Sequence, residues 1–194
     1  MPGGPSQPPR VLRDHALELM LSDRGEVIVS VTEGDTSMVP HLRGGDAVLA
    51  VPSVAVPGPG DLLLFRQQDY WVVHRCLAWA SASDGSRCLR TRGDGRNELD
   101  PPLPPADVRA RIVALRRGGA WRSLQGGPAR WYARCVAWHD MFFAAAGVLA
   151  RKAGLGPAAA AIDRGTLRFW APLTFPICHR RIAPPAASGS ERPV

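Results

Sequence analysis

The stretch EVIVSVTEGDTSMVP, residues 26–40, reads as a strand that runs straight into a serine-bearing turn. Val27, Val29 and Val31 alternate with Ile28 and Ser30, and β-branched residues with a period of two predict a strand over Glu26–Thr32. Gly34 and Asp35 then mark a turn, with Ser37 just beyond it.

Outward from this stretch the same texture repeats. Short apolar runs bounded by turn residues predict strands over Asp46–Val51, Asp61–Phe65, Tyr70–Ala80, Arg87–Thr91 and Asp107–Leu115, the last of the set. Ser81–Ser86 closes a hairpin between two of them. The 20 glycines, 19 prolines and 7% aromatics suit many turns between short strands. Such spacing predicts a mainly β fold, a sandwich or coiled sheet, rather than βαβ units. Apolar spacing at Leu17, Met20 and Leu21 predicts a short N-terminal helix over Val11–Leu21. The character changes after Gly118–Gly119, where an alanine- and aromatic-rich segment predicts a helix over Trp131–Ala153. Four parts follow: a disordered lead-in (1–10), a β domain (11–118), a partly helical C-terminal extension (119–182) and a disordered tail (183–194).

The net charge of +7 raises nucleic acid or anionic lipid as a partner. The arginines are scattered, however, and no finger or RNA-binding signature accompanies them, so nucleic acid is disfavoured. Cys76, Cys88, Cys135 and Cys178 form no CxxC pair, and the histidines other than His74 are too dispersed for a metal site. Cys76 and Cys88 flank the hairpin loop symmetrically, but reduced core residues are the better reading. No metal or cofactor is implied. A spanning helix needs about 20 apolar residues, and Met141–Ala150 is the longest clean run. The chain is therefore expected to be cytoplasmic, its C-terminal segment flanked by Arg151 and Lys152 offering at most peripheral membrane contact.

Three segments carry chemistry: TSMVP (36–40) followed by Gly45–Asp46, VHR (73–75), and GDGRNELD (93–100). A serine hydroxyl is a weak nucleophile until a base takes its proton, and His74 is a natural candidate, since histidine is the side chain whose unperturbed pKa lies near neutrality. A carboxylate on the far imidazole nitrogen would fix the tautomer, and Asp94 and Asp100 both lie in the next loop. Singly, each has a plainer explanation. Ser37 would be a turn serine, His74 a structural histidine and Asp94 a turn former. His139–Asp140 invites a similar story, but adjacent helical positions do not face one another.

Their order resembles the type I signal peptidase family. A serine-methionine-x-proline segment closes a strand, glycine-aspartate pairs follow at Gly45–Asp46 and Gly60–Asp61, and a base-arginine pair and a glycine-aspartate loop complete the set, over roughly Val27 to Leu115. Histidine where bacterial members use lysine is similar to the endoplasmic-reticulum and archaeal form. The resemblance implies a signal-peptidase-like coiled β-sheet domain and a serine endopeptidase acting on an extended peptide or protein segment. It also implies Ser37 as nucleophile, His74 as base and Asp100 as orienting acid, with Asp94 a second acid of the loop. The chain is expected to depart from the family in having no N-terminal membrane anchor, and it places Asp35 where a glycine or an oxyanion-binding serine is usual. A carboxylate there opposes a developing oxyanion, so Asp35 is expected to point away and cap the turn while the Ser37 amide supplies the donor. The alternative is a catalytically silent module of the same fold whose basic surface holds a protein or nucleic-acid partner.

Overall fold

The computed structural model describes residues 21, 25–52, 56–68, 70–96, 98–154 and 181–185. The predicted lead-in and nearly all of the predicted N-terminal helix lie outside these residues, as do Cys178, His15 and His179. Leu21 is described, and it is buried in the core.

The β reading of the sequence holds. Seven strands form one antiparallel sheet: β1 (Val27–Ser30), β2 (Ala47–Pro52), β3 (Leu62–Gln67), β4 (Tyr70–Ser81), β5 (Arg87–Arg92), β6 (Val108–Arg117) and β7 (Ala120–Ser123). Their spatial order is β1-β2-β6-β3-β4-β5, with β7 hydrogen-bonded to β6. Among the described residues β1 and β5 are therefore at the ends of this order. The single α-helix described, α1, spans Gly127–Lys152. No described helix is long and apolar enough to cross a membrane.

Two expectations at the C-terminal side are corrected. Gly118–Gly119 is not a boundary between a β domain and an extension. The two glycines, at φ +56° and +77°, form the tight turn that folds β7 back onto β6. The last strand among the described residues is thus β7, whose Trp121 is buried. Nor is α1 an appendage: Tyr132 and Val136 are part of the main core, packed with Leu62, Leu64, Ile112 and Leu115 of the sheet. Gly60 permits this approach, since an added Cβ would lie 2.7 Å from the backbone carbon of Ala133.

The central strand β3 explains how the two sheet faces are used. Leu62 and Leu64 point to the helix-side core, while Leu63 and Phe65 point to a second cluster with Cys76, Leu89 and Leu103. A continuous apolar run is what a strand buried on both faces requires. β4 alternates likewise, Trp71 and Val73 toward the helix and Val72 and Cys76 away from it. Its register against β3 pairs His74 with Leu63 and Arg75 with Leu62. His74 shares the pleat side of Cys76, with its ring edge-on to Phe65 at 6.0 Å, whereas Arg75 turns to the helix side. Cys76 and Cys88 are buried free thiols at different register positions, opposite Thr91 and Ala80.

Candidate active site

His74 is 2% exposed, and its ring is fixed from one side. Its Nδ1 lies 2.7 Å from Asp100 Oδ2, and the Thr91 hydroxyl donates to the same oxygen at 2.8 Å. A carboxylate can only accept, so Nδ1 carries a proton and, in the neutral ring, Nε2 presents its lone pair. Asp100 itself is held by its backbone N–H, which donates to Thr91 of β5. Burial disfavours the Asp100 carboxylate, yet the hydrogen bonds from His74 and Thr91 outweigh it and hold its pKa below the usual carboxylate value.

Among the described residues, buried His74 Nε2 has no hydrogen-bond partner. The ring edge faces Gly93, where an added Cβ would lie 3.0 Å from Nε2 and would also collide with the Ser37 carbonyl oxygen. The serine turn and the imidazole therefore flank one bare Cα. Gly95 closes the same contact: its N–H donates to the Ser37 carbonyl at 2.8 Å, and its missing Cβ makes room for the Thr36 carbonyl. The Asp94 N–H points at Met38 Sδ at 3.4 Å. The loop after β5 thus lies directly on the serine turn, and the Ser37 hydroxyl does not hydrogen-bond Nε2 in this resting arrangement.

Asp94 takes a different place from Asp100. It faces the helix side, where Arg75 donates to both its oxygens at 2.8 and 2.7 Å and to the Gly60 carbonyl at 2.9 Å. His41 Nδ1 is 2.8 Å from Asp94 Oδ2, and His41 Nε2 is 2.7 Å from the Tyr132 hydroxyl of α1. Burial opposes the Asp94 charge, but Arg75 and His41 more than offset it and hold the carboxyl far below its ordinary range. Two acids six residues apart therefore serve opposite faces of β4: Asp100 the histidine, Asp94 the arginine.

No protein-family model matches this chain, and no curated protein matches it.

The geometry corrects one sequence expectation outright. Asp35 does not point away from the serine. Its Oδ1 accepts the Ser37 N–H at 2.8 Å, so the amide expected to serve as oxyanion donor is occupied by a carboxylate. His139 and Asp140 do come within 3.4 Å despite being neighbours, but Asp140 is engaged at 2.7 Å by Arg92 of β5. Thr91, His41 and Tyr132 also belong to the site, outside the motif segments of the sequence. Nothing local marks Thr91 or Tyr132, whose partners are distant in sequence. Cys76, two residues from His74, is not a rival nucleophile, since burial first and Asp61 second push its thiol up to about 12. The basic charge is partly internal as well: Arg75, Arg92, Arg111 and Arg117 pair with Asp94, Asp140, Asp61 and Asp46.

Proposed function

We propose that this chain is a serine endopeptidase of the signal-peptidase type, its β-sheet a version of that family's coiled sheet, cleaving an extended peptide or leader segment. The observation that carries the reading is the imidazole of His74, anchored through Nδ1 to Asp100 and bare at a buried Nε2 beside the Ser37 turn. Nε2 takes the Ser37 proton as Oγ bonds to the scissile carbonyl carbon. The same proton passes to the leaving amine as the C–N bond breaks. Water then hydrolyses the acyl-enzyme by the reverse proton path. The substrate pairs as an added strand on the edge of β1, which leads into Ser37.

The work is assigned to the cytoplasm, with peripheral membrane contact through α1. Trp131, Trp138 and Leu149 are exposed at spacings that share one helical face, with exposed Arg134 and Lys152 beside it. Nucleic acid is not a proposed partner.

A second reading, a catalytically silent module of the same fold, draws on the occupied Ser37 amide and the absence of a Ser37–His74 hydrogen bond. A fluorophosphonate probe separates the two. The peptidase reading expects covalent labelling that is lost in Ser37→Ala and in His74→Ala while both variants remain folded. Labelling that survives Ser37→Ala, or no labelling and no peptide cleavage at all, leaves the silent module.

A further inference from the structure

The carboxylates buried around the site each have a nitrogen-bearing side-chain partner. Asp94 has Arg75, Asp100 has His74, Asp46 has Arg117 and Asp140 has Arg92. Asp35 is different. It is exposed, two residues from the nucleophile, and among the described residues it makes no ion pair, although the chain carries 24 lysines and arginines. Its carboxylate accepts from the Ser37 N–H.

That hydrogen bond sets a chemical problem. An oxyanion forming on the carbon attacked by Ser37 needs a donor, and a donor amide is typically worth about 100- to 1000-fold in rate. Here the amide already donates to an anion, which would also repel the developing charge. Rotation of the exposed Asp35 side chain frees the donor, and the displaced carboxylate then seeks a cation that no described residue supplies in this arrangement. A lysine or arginine of the substrate beside the scissile bond supplies it, neutralising the repulsion at the moment the amide is released.

We propose that Asp35 is a specificity gate, which closes the Ser37 amide at rest and is drawn open by a cationic substrate residue next to the scissile bond. The proposal rests on the serine-peptidase reading and names the substrate class for it.

The test uses two diphenyl phosphonate probes of equal length, one bearing a lysine side chain and one norleucine. Ser37 Oγ bonds to phosphorus, phenoxide leaves and the hydroxyl proton passes to His74, so labelling appears as a mass increase on the intact chain. The wild type is expected to react with the lysine probe about tenfold faster, or more, than with norleucine. Asp35→Ala should react with the norleucine probe faster than the wild type does and lose most of the preference. Asp35→Asn keeps an accepting oxygen without the charge, so it should lose the preference while the norleucine rate stays low. Ser37-dependent labelling at equal rates by both probes in the wild type overturns the gate and leaves the peptidase reading standing. So does folded Asp35→Ala that labels slowly with both probes, which would make Asp35 a support of the turn. Absence of Ser37 labelling by either probe in any variant removes the peptidase reading, and the gate with it.

Discussion

At His74 the two ring nitrogens meet opposite surroundings, and the difference is what a base requires. Nδ1 is tied to Asp100, while Nε2 is buried without a partner. Leaving a buried acceptor bare costs about 1–3 kcal/mol, and such costs persist where a site awaits a donor. Replacing Asp100 by asparagine preserves size but removes the charge that fixes the tautomer. Ser37-dependent cleavage is expected to fall about 10³- to 10⁴-fold in kcat, with KM little changed. Thr91→Val removes one of the two hydrogen bonds to Asp100 Oδ2 and leaves the imidazole contact, so its loss should be about tenfold or less. Because both bonds hold the Asp100 pKa down, Asp100 stays ionised through the mildly acid range. Thr91→Val should therefore raise the pH at which the Asp100 carboxyl takes up a proton, read from the carboxyl signal in an acid titration. An unshifted carboxyl together with full activity would show that Thr91 does not tune this carboxylate.

The loop between β5 and the single 3-10 turn at Pro105–Asp107 brings these groups together, and its glycines, Gly93 and Gly95, are steric necessities. Gly95 carries no Cβ because the Thr36 carbonyl occupies that space, and backbone cannot move aside as a flexible side-chain tip can. Gly95→Ala should lower stability by about 1–3 kcal/mol and push the serine turn off the loop. Gly127→Ala, at the start of α1 with open space around it, should be neutral or stabilising by up to about 1 kcal/mol. Urea unfolding of the two variants makes the comparison, and equal midpoints would remove the steric argument. The same elements show how much was legible in the sequence. The strands are readable because β-branched and leucine runs alternate with Gly/Pro turns, and of the three candidate residues His74 stands on a strand while Ser37 and Asp100 stand in the turn and loop that such strands bound. β7 carries no strand signal because its four residues hold no apolar alternation beyond Trp121, and Gly118–Gly119, which reads as a break, is a hairpin turn. The different tasks of Asp94 and Asp100 depend on which face of β4 each meets. Spacing within a loop does not encode that. His41 stands four residues after Ser37, yet its partners Asp94 and Tyr132 lie far along the chain.

Across the whole molecule, buried ion pairs join the sheet, the site loop and the helix. Tyr132, His41, Asp94 and Arg75 run from α1 to β4, and Asp140 of α1 meets Arg92 of β5. The two halves of this network respond to acid in opposite senses. Asp94 has a depressed pKa, so its stabilisation is fully present above the unfolded value of about 4 and is lost as pH falls toward the folded value. Asp140 behaves in reverse. Burial first raises its pKa, Arg92 only partly offsets this, and Asp94 nearby adds to the rise. Its contribution is therefore full below the unfolded value and fades as pH climbs through the raised one. Stability should fall below about pH 4, with Asp140 blunting the loss. Asp140→Ala strands the buried Arg92 guanidinium and should cost about 3–5 kcal/mol at neutral pH. Converting the pair together, Arg92→Met with Asp140→Leu, removes both charges and should recover most of that cost. The double variant should also lose stability more steeply in acid than the wild type, because the contribution that grows there is gone. Denaturant midpoints from pH 7 to pH 3 on the wild type and both variants test this, on the order of one point per half unit. A double variant with the wild-type acid slope would mean that Asp140 titrates no differently folded than unfolded.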